Sequence, residues 1–111
     1  MKEGFWHSDN KENKDYPKPE PTTDKHWRKK KLRFLAKLDK VESVPFCRAK
    51  HYKGSSRCRM CGEHVGSTTY LYKGWEWPVG FSHYVEEHDI KPTNEFIKFV
   101  NLYASLIEII E

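Results

Sequence analysis

Apolar residues recur along this chain with two different spacings, and each spacing predicts an element. Trp27, Phe34, Leu35, Leu38 and Val41 mostly follow three- and four-residue steps. That pattern predicts a helix with one buried face, capped by Thr23 or Asp24 and running to about Val41. Ser43 to Pro45 ends it. Thr68 to Lys73 instead alternates as a strand, Lys73-Gly74 can turn, and Trp75 to Trp77 can return. A two-residue turn sets Tyr72 opposite Trp75 and Tyr70 opposite Trp77, so four rings share one face of the hairpin. Aromatic cross-strand pairs of this kind contribute about 0.2–1 kcal/mol each. Pro78-Val79-Gly80 breaks the strand, and Phe81, Tyr84, Val85 and His88 return to helical steps over a short segment. After Ile90-Lys91-Pro92 a final helix is expected from Thr93 or Asn94. Its stripe is Phe96, Phe99, Val100, Tyr103, Leu106, Ile107 and Ile110.

Two stretches lack such periodicity. Residues 46–57 read as a basic connector leading into a cysteine pair. Residues 1–23 read as a flexible, proline-containing arm, because Pro17, Pro19 and Pro21 block helix and favour polyproline II. The arm can also lie along the surface, with Phe5, Trp6 and Tyr16 as anchors. The remainder, residues 24–111, is expected to form a single domain.

Composition adds a constraint. In 111 residues, 37% are hydrophobic and 32% charged. A core this thin calls for a staple, either a disulfide or a metal. Cys58 and Cys61 are a close pair and Cys47 stands alone, which does not resemble a secreted disulfide framework. The polar, mixed-charge stretch Met1 to Glu20 does not read as a signal peptide. The longest apolar region is interrupted by Asn101, Ser105 and Glu108, so no membrane span is expected. These features point to the reducing cytoplasm.

The metal alternative has a specific candidate. Cys58-Arg59-Met60-Cys61-Gly62 has the form of a zinc knuckle: two thiolates grip one ion from a tight turn, and the glycine lets the backbone fold back. After 21 intervening residues come His83 and His88, with four residues between them, within the usual spacing of a zinc-binding pair. Five residues along an ideal helix rotate one ring about 140° from the other. Both can reach one ion only if the helix ends between or at them, and the residues before Pro92 supply such an end. The competing ligands are Cys47, His51 and His64. Two thiolates and two imidazoles suit zinc better than calcium or magnesium. Four protein ligands close the site against a catalytic water, which makes the predicted Zn2+, one per chain, structural. The expected fold is therefore α+β: a knuckle, a β-hairpin and a short helix, treble-clef- or zinc-finger-like, flanked by an N-terminal and a C-terminal helix.

Cys58-Arg59-Met60-Cys61-Gly62, Gly66-Ser67, Trp77-Pro78-Val79-Gly80-Phe81-Ser82-His83-Tyr84 and His88 resemble a pattern in a group of short bacterial and phage-type proteins. Tyr16-Pro17 and Phe34-Leu35 extend the similarity over roughly residues 14–100. The resemblance implies a small cytoplasmic domain with a metal site at Cys58, Cys61, His83 and His88, and implies no activity. Similarity to Cys2His2 zinc fingers is looser, since their corresponding gap is about twelve residues.

Charge bears on partners. Residues 24–42 carry eight basic side chains against three acidic ones, and residues 43–61 carry five basic and none acidic. Residues 76–111 carry seven acidic against two basic. The basic half can pair with the acidic half of the same chain or face a partner. Three functions follow. The first is a zinc-stapled interaction module for another protein, with Trp75 or Trp77 as anchors wherever the core does not consume them. The second is nucleic-acid binding without sequence specificity, through Lys25, Arg28, Lys29, Lys30, Lys31, Arg48, Lys50, Lys53, Arg57 and Arg59. Base reading is disfavoured, because the short helix is acidic at Glu86, Glu87 and Asp89. The third is a metal-dependent nuclease using Glu63 and His64, which lacks a second carboxylate cluster.

Overall fold

The computed structural model describes residues 1–6 and 15–110. Residues 7–14 of the arm lie outside the described residues, as do the side chains of 52–54 and 110, and with them those of Lys53 and Ile110. Three helices and three strands follow in the order α1 (Lys25–Glu42), β1 (Arg48–Arg57), β2 (His64–Tyr72), β3 (Trp75–Pro78), α2 (Phe81–His88) and α3 (Asn94–Ile110). The strands form one antiparallel sheet in sequence order.

Of the two expected caps for α1, Asp24 is the one used: its Oδ1 accepts the amides of His26 at 2.9 Å and Trp27 at 3.2 Å. The helix closes at Ser43, whose hydroxyl donates to the Asp39 carbonyl at 2.7 Å. Trp27, Phe34, Leu38 and Val41 are buried, while Leu35 packs at the edge of the core.

The hairpin forms in the expected register, with Tyr72 facing Trp75 and Tyr70 facing Trp77. Lys73 and Gly74 both adopt positive φ, 50° and 84°, which a two-residue turn matching strand twist requires. Lys73 carries the cost of a left-handed conformation for a residue with a Cβ. All four rings lie on the inner face, and Trp77 is fully buried.

The stretch 46–57 is not a connector. Most of it is β1, which makes the sheet three-stranded and extends β2 back to His64. Arg48, Ala49, Lys50 and His51 are all exposed, so no apolar alternation marks the strand. Backbone pairing to Leu71, Tyr70, Thr69 and Thr68 holds it instead, helped by a 2.8 Å bond between His51 Nδ1 and Thr68 Oγ1. The register shifts after His51 and again at Ser56, and charge with irregularity is how an exposed sheet edge resists pairing with other chains.

The core is a layer of rings between the sheet and α1 with α3. Trp77 meets Phe96 at a 5.5 Å centroid distance, and Trp75 stacks on Phe99 at 5.6 Å. Along α3 the buried positions are Phe96, Phe99, Val100, Ala104 and Ile107. Leu106, expected in the stripe, is 40% exposed, while Ala104 on the other edge of the stripe is 2% exposed. Leu102 and Ile109 are exposed beside it.

The start of the chain docks. Met1 to Glu3 run along the free edge of β3, with reciprocal 2.9 Å bonds from Glu3 N to Glu76 O and from Glu76 N to Met1 O. The Glu3 carboxylate is buried and accepts the Thr93 amide at 2.7 Å, so it satisfies a donor at the start of α3. Burial raises the Glu3 pKa, with the Thr93 amide and hydroxyl pulling the other way. Trp6 packs on Tyr84 at 5.6 Å and Phe5 on Tyr16 at 5.8 Å.

Part of the basic half meets the acidic half. Lys31 reaches Asp89 at 2.8 Å and Arg28 reaches it at 3.7 Å; Lys40 pairs with Glu108 at 2.9 Å and Lys91 with Asp24 at 3.1 Å. These pairs are partly exposed and individually contribute little to stability.

Glu42 is different. Its carboxylate accepts the Trp77 indole N–H at 2.8 Å, yet burial pushes its pKa up to about 7. A raised carboxylate pKa means the native state holds the proton more tightly than the unfolded chain does. The associated stability is therefore present at low pH and lost as pH rises from the usual glutamate range to about 7. Glu42→Gln keeps an acceptor for Trp77 without a buried charge. Urea denaturation should find the variant more stable than the parent at pH 8, by on the order of 1–3 kcal/mol, with the advantage vanishing near pH 4.5. Equal differences at both pH values would contradict the buried charge.

Candidate metal centre

The loop between β1 and β2 is a tight knuckle. Cys58 N donates to Glu63 O at 2.8 Å and Gly62 N to Cys58 O at 2.9 Å, which folds residues 58–63 back on themselves. Gly62 sits at φ 78°, where a side chain would be strained. The Met60 amide points at Cys58 Sγ at 3.4 Å, as expected of a knuckle that stabilises thiolate charge. Cys58 is buried and Cys61 exposed.

The hairpin carries the chain to α2, whose residues 83 and 88 face the knuckle. His83 Nε2 lies 3.3 Å from Cys61 Sγ. Its Nδ1 lies 4.0 Å from a Glu63 carboxylate oxygen, the side on which metal-binding histidines commonly find an orienting carboxylate. The rotation that would separate His83 from His88 is resolved by where α2 stops. His88 is its last residue, and Asp89 turns left-handed at φ 51°, ψ 36°, with the Ile90 amide returning to Tyr84 O at 3.2 Å. The two imidazoles end 5.1 Å apart between centroids. Lys31 and Arg28 of α1 hold the Asp89 carboxylate and lower its pKa, Lys31 through its hydrogen bond above all. The first helix thereby pins the residue whose strained turn aims His88.

Cys58, Cys61, His83 and His88 form a cluster in which one donor atom from each lies within 4.8 Å of all the others. The donor set and its closeness fit one tetrahedral metal ion. A further sign is His88 Nε2, which is buried and has no hydrogen-bond partner, a costly state for an imidazole nitrogen that an ion or a bound proton partner would relieve. Without a metal, the Cys61 thiol pKa is raised: the Glu63 amide pulls it down, but desolvation and the adjacent Cys58 sulfur outweigh that pull. A divalent cation supplies the missing positive charge.

The competing ligands lie elsewhere. Cys47 packs against the main core, where burial pushes its thiol up to about 11. His51 on β1 bonds Thr68 of β2, and His64 is exposed at the start of β2, opposite Arg57. The spacing places Tyr84 on the apolar face of α2 but does not mark the role of its hydroxyl. Its hydroxyl accepts the Arg59 amide at 2.6 Å, so α2 braces the knuckle directly. Burial pushes its pKa up to about 12, against the opposing pull of that amide.

Knuckle, hairpin and ligand-bearing helix together define a treble-clef-like α+β domain with a Cys2His2 cluster able to hold a metal ion. No family model, curated protein or solved structure matches the chain. Among the described residues, no helix is long and apolar enough to cross a membrane.

Proposed function

We propose that Cys58, Cys61, His83 and His88 hold one structural zinc ion, and that the zinc-stapled domain serves as a binding module. The observation that carries this is the convergence of four protein donors, two sulfurs and two imidazoles, within 4.8 Å. Soft and borderline ligands favour zinc over calcium or magnesium, and four of them leave no open position for a reacting water. The Glu63–His64 pair does not assemble a second centre: Glu63 is turned toward His83, and His64 lies outside the cluster.

The sequence pattern that resembles short bacterial and phage-type proteins falls on the parts that would build this cage. The knuckle supplies the sulfurs, Trp77 the core beneath the hairpin, and His83, Tyr84 and His88 the helix side. A reducing cytoplasm suits a site that needs both cysteines as free thiolates.

Cobalt substitution tests the closed, structural character. The Co2+ protein should show the absorption of a tetrahedral site with two thiolates, unchanged when azide is added in excess. A spectrum that shifts with azide would reveal an open coordination position and refute a purely structural role.

A further inference from the structure

The helices cover one face of the sheet and leave the other face open. On that outer face lies a concavity of about 470 Å³, bounded by β1 on one side and by the docked start of the chain on the other. Its charged lining is one-sided: Lys2, Lys50, Arg57 and Arg59 against Glu76. Rings complete it, since Phe5, Trp6 and Tyr84 line it, the last two packed beside Cys58 of the knuckle. The Trp6 indole N–H is buried and has no hydrogen-bond partner. This site is distinct from the metal cage, although Arg59 belongs to the knuckle.

Three properties identify the occupant. The cations number four to one acid, so it is an anion. They continue along a strand: β1 spans Arg48 to Arg57 against Leu71 to His64 of β2, roughly 23 Å at strand rise, and residues 43–61 contain no acid. A row of that length suits an anion with repeated charge more than a single phosphate. The concavity as a whole has the volume of a ligand pocket, and its rings suit a flat, unpaired base, which a duplex keeps stacked inside. The anchors that a protein partner would use, Trp75 and Trp77, are 7% and 0% exposed and belong to the core.

Resting on the binding-module reading above, we propose that the outer sheet face binds single-stranded nucleic acid. The backbone tracks along Lys50 and Arg57 of β1, and a base enters beside Phe5 and Trp6. Recognition is by charge and stacking, without sequence reading.

Fluorescence anisotropy on the zinc-loaded full chain tests this, with a labelled mixed-sequence twelve-nucleotide single strand, its duplex and a phosphoserine peptide as probes. The single strand should bind most tightly and lose roughly 50-fold in affinity between 50 and 200 mM salt, the expectation for about four phosphate contacts. Lys50→Glu should weaken binding at least fivefold and flatten the salt dependence. Lys98→Glu, the same charge reversal on an exposed position of α3 outside the lining of the concavity, should change binding less than twofold. Zinc content is measured on every sample, so a chain without zinc refutes the module reading itself. A zinc-loaded chain that ignores the single strand, prefers the duplex or the phosphopeptide, or responds equally to both reversals overturns this proposal alone.

Discussion

Stripping the metal with a chelator at pH 7 is expected to unfold the knuckle and α2 and to remove most of the domain's stability. The reason lies in what else holds these parts. Among the described residues, the knuckle side of the molecule adds to the four ligands only a small cluster in which Tyr84 and Ile90 bury Cys58, with Trp6 and Val65 packed against it. Structural zinc in small sites contributes apparent free energies of about 10–16 kcal/mol. Whole domains are stable by only about 5–15 kcal/mol. Loss of the ion also leaves two adjacent sulfurs and the unpartnered His88 Nε2 to be resolvated. Hydrogen exchange should show the amides of Cys58, Arg59 and Ile90 losing protection first, since their partners Glu63 O, Tyr84 OH and Tyr84 O all sit in this region. The amides of α3 should be the last to go. Lowering the pH should have the same consequence, because protons compete with the metal for the thiolates and imidazoles. Unchanged protection after complete metal removal would contradict the staple.

Trp77→Ala should be the most damaging substitution outside the cage. Trp77 is fully buried and touches Tyr70, Phe96 and Phe99. Truncating a buried tryptophan costs about 3–5 kcal/mol through lost transfer energy and the cavity left behind. It also deprives the Glu42 carboxylate of its indole donor, a further cost of about 1–3 kcal/mol for a buried acceptor left unsatisfied. Chemical denaturation of the zinc-loaded variant should therefore show a loss comparable to the stability of a whole small domain. The Glu42→Gln background should reduce the penalty, because the orphaned group is then uncharged. A loss under about 2 kcal/mol would mean the aromatic layer does not organise the core.

Most of this architecture was legible in the chain because burial writes itself as spacing. Trp27 to Val41, Phe81 to His88 and the residues after Thr93 each bury one helical face, and the hairpin announces itself through alternation around Lys73-Gly74. β1 left no such mark. An edge strand exposed on both faces is held by backbone bonds, which are the same for every residue type. Ala104 and Leu106 lie on opposite edges of the apolar stripe of α3, and the fold buries the Ala104 edge and leaves the Leu106 edge 40% exposed. The Cys2His2 cluster was legible from the order and spacing of two cysteines and two histidines. Its awkward five-residue histidine step is settled by the left-handed turn at Asp89, whose carboxylate pairs with Lys31 and Arg28 more than fifty residues earlier. Long-range support of that kind, like the brace from Tyr84 to the Arg59 amide, has no local signature.

The central claim is the four-ligand zinc cage, and metal content tests it most directly. Elemental analysis of the purified, untagged protein should find one zinc per chain, and His88→Ala should lose both the metal and the protection of the Ile90 amide. No zinc in the parent, or a full complement in His88→Ala, would contradict the cage and return Cys47, His51 and His64 to consideration.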